Sequence, residues 1–298
     1  MGPHRSFRGV FAYPVTPTRG AGDEVDEARL RSLIEELVKE GSHGIVVLGS
    51  TGAIGSFSDE ERRRLAEIAV AQVSGRVPVL VGTGHFTTTD TIKMSMHAEK
   101  IGADGVQIVP LSHWPLTSRE LMQHYAEVAS AISIPIVVHN CPSLTGMDMR
   151  PEFLAELSAI PNVRYLKEGS GDQSRIPALR RLTKGAVALF QDQEVTALQG
   201  LIAGAEVWAS MMPNVLARQS VEFFDLAVVR KDVDKSRALF EKMFPLIEFV
   251  TQRSGVRALH TALELLGRPV GPPRRPMRML EQDDRAKLER ILRDCELM

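Results

Sequence analysis

Short apolar runs alternate with longer amphipathic stretches along almost the whole chain. The runs are Val10–Tyr13, Gly44–Leu48, Val77–Val81, Gly105–Val109, Pro135–His139, Val163–Lys167, Val187–Gln191 and Glu206–Ser210. Most are rich in Val and Ile and apolar throughout, as expected of parallel strands covered on both faces. Between them, Asp26–Glu40, Asp59–Val73, Thr89–Ile101, Ser118–Ile132 and Pro151–Ala159 carry helical periodicity. Ser58 and Thr117 stand where N-caps belong, and Gly41, Gly75 and Gly102 stand where helices should stop. Eight strands, each followed by a helix, predict an α/β fold of the closed (β/α)8 TIM barrel type rather than an open doubly wound sheet. The tail is too long for an eighth helix alone. Arg230–Val250, Ser254–Leu266 and Gln282–Cys295 read as three further helices, with the proline-rich Pro269–Pro276 separating the last two. The expected organisation is a barrel over residues 1–229 and a C-terminal three-helix extension over residues 230–298.

Composition narrows the function classes. At 298 residues, with 44% hydrophobic and 24% charged positions, the chain has material for a proper globular core. A formal net charge of -1 gives no broad electrostatic case for nucleic acid or an anionic membrane. Cys141 and Cys295 lie far apart in sequence and offer neither a disulfide framework nor metal spacing. The first eight residues lack the apolar core of a signal peptide, and no apolar run reaches the ~18 residues of a membrane span. The expected setting is the reduced cytoplasm.

In a (β/α)8 barrel the chemistry gathers where strands become βα loops. Lys167 ends the sixth strand. Strand side chains wall it there, and desolvation is expected to disfavour the ammonium form and free an amine that can attack a ketone. Gly49-Ser50-Thr51-Gly52 follows strand two, where hydroxyls and amides can converge on a carboxylate. His139 ends strand five, facing inward by alternation and across the barrel from the lysine. Tyr13 and Tyr165 are candidate proton relays, and Ser210 and Asp192 are candidate contacts to the distal part of a substrate. Each has an ordinary structural reading as well: a surface lysine, a plain turn, a packed histidine, loop polarity. Loop seven, Asp192-Gln193-Glu194, and loop eight, Met211-Met212-Pro213-Asn214, lack the glycine-rich backbone that phosphate-binding barrels use. His139, His113, Asp192 and Glu194 are the only metal-ligating material and have no ligand-like spacing, so neither a metal nor a cofactor is expected.

At these strand ends the chain resembles the dihydrodipicolinate synthase / N-acetylneuraminate lyase family of class I, Schiff-base aldolases. The marks are Pro14-Val15-Thr16-Pro17, Gly49-Ser50-Thr51-Gly52, Gly82-Thr83-Gly84, Asn140-x-Pro142 with Thr145-Gly146, and Lys167-Glu168-Gly169-Ser170-Gly171-Asp172. The resemblance implies that Lys167 forms an imine with pyruvate or another 2-oxo acid. It implies that Ser50 and Thr51 hold its carboxylate and that the chain is a homotetramer or dimer. Gly49 is a further candidate substrate contact, and Gly169 is expected to leave room near the imine. The chain also departs from the family. His139 stands where the family has a relay tyrosine, the loop-four tyrosine is missing from the Ser112-His113 region, Ala53 replaces a glutamate, and Leu144 stands where the lysine-pathway synthases carry an arginine. Imidazole is a competent acid or base near neutral pH. Three readings follow: a lyase or aldolase on an unphosphorylated 2-oxo acid that is not a true dihydrodipicolinate synthase, a dehydratase or deaminase using the same lysine, and a homologue that binds a 2-oxo acid without turnover.

Overall fold

The computed structural model describes residues 6–253 and 255–298. The first five positions, read above for a targeting signal, and Ser254, expected to start a helix, lie outside the described residues. Eight parallel strands close into a barrel: β1 (Gly9–Ala12), β2 (Gly44–Val47), β3 (Val79–Gly82), β4 (Gly105–Ile108), β5 (Ile136–Asn140), β6 (Val163–Glu168), β7 (Ala188–Gln191) and β8 (Val207–Ser210). β1 closes the ring by pairing with both β2 and β8. The eight expected runs overlap the eight strands with ends shifted by one or two residues. A helix follows each strand: α1 (Glu27–Lys39), α2 (Asp59–Val73), α3 (Thr88–Lys100), α4 (Ser118–Ala131), α5 (Pro151–Leu157), α6 (Arg175–Leu182), α7 (Ala197–Ile202) and α8 (Pro213–Phe224). Ser58 and Thr117 make full capping boxes with Glu61 and Glu120, so α2 and α4 start where the sequence indicates.

Alternation along each strand divides the core in two. Val79 and Val81, Ile136 and Val138, and Leu166 and Leu189 point outward and pack beneath the helices. Phe11, Val46, Leu80, Val137, Tyr165, Phe190 and Val207 fill the barrel interior, joined by Phe7 below β1. Each such side chain, withdrawn from water, contributes ~1.5–3 kcal/mol. A register shift between β5 and β6 leaves Arg164 exposed and unmatched, and this sets the phase that turns Tyr165 and Lys167 inward. Beyond the shift, His139 pairs with Lys167 in register. The two are therefore neighbours on adjacent strands, which corrects the expectation that the histidine faces the lysine across the barrel.

Glycine is required where loops crowd. A Cβ on Gly82 would lie 1.8 Å from the Leu48 carbonyl oxygen, and one on Gly84 would lie 2.5 Å from that of Val109. The Gly82-Thr83-Gly84 motif therefore packs the ends of β2, β3 and β4 against one another. Three helices follow the barrel: α9 (Val233–Gln252), α10 (Gly255–Leu265) and α11 (Gln282–Asp294). Leu246, Ile247, Leu259 and Leu288 from them join the same outer core as the barrel helices. Among the described residues, no helix is long and apolar enough to cross a membrane.

Candidate active site

Lys167 enters the barrel mouth from the end of β6 and is 2% exposed. Its Nζ lies 4.3 Å from the centroid of the Tyr13 ring and 2.8 Å from Asp192 Oδ1. Burial pulls an ammonium toward deprotonation, but the Asp192 carboxylate and the Tyr13 phenol together outweigh it. The pKa therefore stands above the ordinary lysine value. This overturns the expectation of a resting neutral amine, because strand phase alone does not show that the Asp192 carboxylate meets the nitrogen.

Asp192 is the hub of the site. Its Oδ2 lies 2.9 Å from His139 Nε2. Burial pushes the Asp192 acid upward, yet the charges of Lys167 and His139 and their hydrogen bonds hold it below the ordinary carboxylate range. Burial, with the Lys167 charge next, lowers the His139 pKa, so the ring is neutral at pH 7. The network then places its proton on Nε2, donated to Asp192, and leaves Nδ1 buried without a partner. A Cβ on Gly169 would fall 2.4 Å from Asp192 Oδ2 and 2.8 Å from the Asn140 carbonyl oxygen. The bare glycine thus makes room for the carboxylate, whereas the sequence reading gave that room to an imine.

The mouth holds a cavity of about 140 Å³ lined by Tyr13, Ser50, Thr51, Lys167, Asp192, Gln193, Glu194, Ala209, Met211 and Thr251. At ~30 Å³ per water it has room for four or five waters, the scale of a small organic acid. Lys167, Ser50, Thr51, Tyr13 and Asp192 are therefore brought together. Gly49 backs the wall, since a Cβ there would meet the Tyr13 ring at 2.7 Å. His139 is not on the wall and reaches the cavity only through Asp192. Ser210 is buried, and its hydroxyl donates to both oxygens of Glu194 at 3.0 Å rather than facing a substrate. The Met211 amide donates to Glu194 at 2.7 Å, and burial raises this acid to about 8. Tyr13 donates to the side-chain oxygen of Gln107, and burial raises its phenol to about 12.

Tyr165 does not belong to the site. Its ring stacks on Phe7 at 4.5 Å at the opposite end of the barrel, and its hydroxyl accepts the Phe7 amide at 3.2 Å. The expectation of a Tyr165 relay fails because its inward layer is the floor, two residues below Lys167. Several motif residues prove to be scaffold. The Thr16 hydroxyl donates to the Gly52 carbonyl at 2.8 Å and pins the Ser50-Thr51 turn to β1. Asn140 donates to Glu168 and Asp148 and accepts from the Met149 amide, all outside the barrel. Glu168 is buried there too, beside Arg175 at 4.0 Å.

Gln107, Glu194, Thr251 and Cys141 were missed as site neighbours. Only Glu194 had a signal, an acid two positions after Asp192 in a loop without glycine. Among the described residues, His139, Cys141 and Asp192 form one group whose nitrogen, thiol and carboxylate atoms lie within 4.8 Å of one another. The Lys167 ammonium already neutralises Asp192, and burial raises the Cys141 thiol, so both oppose a second cation there.

Residues 6–295 match the Dihydrodipicolinate synthetase family. The 4-hydroxy-tetrahydrodipicolinate synthase of Legionella pneumophila is 33% identical over 294 residues, covering 98% of this chain and 100% of that one. The enzyme of the same name from Syntrophus aciditrophicus is 32% identical over 292 residues, covering 98% and 99%. Among solved structures, the chloride-inhibited dihydrodipicolinate synthase of Acinetobacter baumannii complexed with pyruvate superposes with a TM-score of 0.93 at 27% identity. That superposition covers 98% of this chain and 99% of the other.

Proposed function

The chain belongs to the dihydrodipicolinate synthetase family, and from that premise we propose that it is a Schiff-base lyase or aldolase acting on a pyruvate-type, unphosphorylated 2-oxo acid. The observation that carries this is one small cavity shared by the buried Lys167 nitrogen and by Ser50 and Thr51. Among the described residues neither of those hydroxyls is engaged in a protein hydrogen bond, which leaves donors free for a carboxylate. Once the acid is held, the Lys167 nitrogen attacks the ketone carbon. Loss of water leaves a protonated imine that draws electrons from the adjacent carbon–carbon bond. Holding nucleophile and ketone together supplies effective molarity.

The far wall bears on the substrate. Among the described residues Lys167 is the only cation lining the cavity, and Asp192 already pairs with it. The Ser210 hydroxyl and the Met211 amide are spent on Glu194, and one Gln193 amide proton is spent on the Gly169 carbonyl at 2.7 Å. A second carboxylate on the substrate would be buried without a partner, at a cost of several kcal/mol. This supports a monocarboxylate substrate, and a reaction other than the one named for the curated relatives. The paired amine equally suits a homologue that binds without turnover. The test is borohydride reduction with a panel of 2-oxo acids, followed by peptide mass mapping in wild type and Lys167→Ala. An adduct on Lys167 with aldehyde release supports the lyase, an adduct without turnover favours the binding homologue, and no adduct refutes both. A homo-oligomer is proposed as well. It is supported by Phe86, 58% exposed and stacked on His113 at 5.2 Å, beside Trp114, 80% exposed, and light scattering reads it.

A further inference from the structure

We propose that Asp192 is the catalytic proton carrier of imine formation, with His139 a positioning residue that fixes its carboxylate. The inference rests on the Schiff-base reading above. Condensing an ammonium with a ketone to give a protonated imine and water leaves the net charge unchanged. One carbon–oxygen double bond breaks, one carbon–nitrogen double bond forms, and two protons leave nitrogen and finish on the departing oxygen. A closed site therefore needs one group that accepts a proton from nitrogen and returns it to oxygen, twice. It needs no external acid or base.

Asp192 has the required position. Its Oδ1 touches the reacting nitrogen at 2.8 Å, and it lines the cavity in which the ketone oxygen must lie. The other groups near the nitrogen make hydrogen bonds of their own. The Tyr13 hydroxyl is turned to Gln107, Glu194 is held by Ser210 and Met211, and His139 lies behind Asp192. The histidine donates from Nε2 to Oδ2, which leaves Oδ1 directed at the nitrogen. Gly169 clears the space in which the carboxylate sits. Three loops thus cooperate to hold one carboxylate against one amine, more than a simple counter-ion needs.

The test follows the rate of borohydride-trappable adduct with pyruvate from about pH 6 to about pH 9. In wild type the protons recycle within the site, so the rate is expected to be nearly flat. Asp192→Asn cannot carry a proton. It is expected to slow trapping by ~10²–10⁴-fold and to make the residual rate climb about tenfold per pH unit, as hydroxide takes over. If Asp192 served only to hold the ammonium, the same substitution would release a better nucleophile. Trapping as fast as wild type or faster, or a profile parallel to wild type, overturns the proposal. Asp192→Glu retains a carboxylate and is expected to keep the flat profile at a reduced rate, which guards against a folding defect in the Asn variant. A climbing profile in Asp192→Glu would also overturn it. His139→Gln, which keeps a donor, is expected to keep the flat profile with a smaller loss. Wild type that gives no Lys167 adduct at all overturns the Schiff-base reading along with this one, whereas the Asp192→Asn outcomes bear on this proposal alone.

Discussion

Glu194 makes stability depend on pH in a direction opposite to most carboxylates. It is 5% exposed, accepts from Ser210 and Met211, and stands at about 8 against an ordinary 4.5 because burial penalises its anion. Between those values the folded protein binds a proton that the unfolded chain has released. Unfolding free energy is therefore full below about 4.5, falls as pH rises from there, and levels off above about 8. The difference of about 3.5 units at ~1.36 kcal/mol each sets an upper bound of ~5 kcal/mol. Glu194→Gln keeps the shape, still accepts from the Met211 amide and Ser210, and carries no ionisable proton. Urea melts of both proteins from about pH 5 to about pH 9 isolate the difference. The variant is expected to gain on wild type steadily as pH rises, by several kcal/mol across the range. Curves that run parallel would refute the buried neutral acid, and a variant that loses ground with pH would reverse its sign.

Other perturbations give separate tests. Gly169→Ala drives a Cβ to 2.4 Å from Asp192 Oδ2, and a ~1 Å displacement of that carboxylate is expected to cost about 100-fold in kcat, read by steady-state kinetics. Tyr165→Phe is expected to leave turnover unchanged while lowering stability by ~1 kcal/mol in urea, since the Phe7 amide loses its acceptor at 3.2 Å. Thr51→Val, which removes a free hydroxyl from a residue 8% exposed, is expected to raise KM for the 2-oxo acid about tenfold with the melt unchanged. A main effect on kcat instead would place Thr51 in the chemistry.

The barrel was legible because the strands are buried on both faces at nearly every position, Arg164 excepted, so Val- and Ile-rich runs such as Val77–Val81 read as strands without regard to partners. Lys167 was legible because strand phase and strand end are local properties. Its charge state was not. That depends on Asp192, 25 positions away and one strand over, whose side chain sequence alone cannot aim. Tyr165 failed for a related reason. Alternation gives the face of a strand but not the depth at which a side chain ceases to reach the mouth. The close approach that Gly169 permits was not legible, since the Asp192 carboxylate comes from another loop. Thr251 had no local signal, because its position follows from how α9 docks on the barrel.

Thr251 also ties the cavity to the order of synthesis. It lies near the end of α9, after all eight strands, yet it forms part of the wall around the amine. A ribosome that has delivered the complete ring of strands has not yet delivered this face of the enclosure. Until α9 emerges and docks, the Lys167 nitrogen lacks this part of its enclosure. On the proposed Schiff-base reading, a chain truncated after the eighth barrel helix would keep Lys167 while losing part of the wall that shelters it.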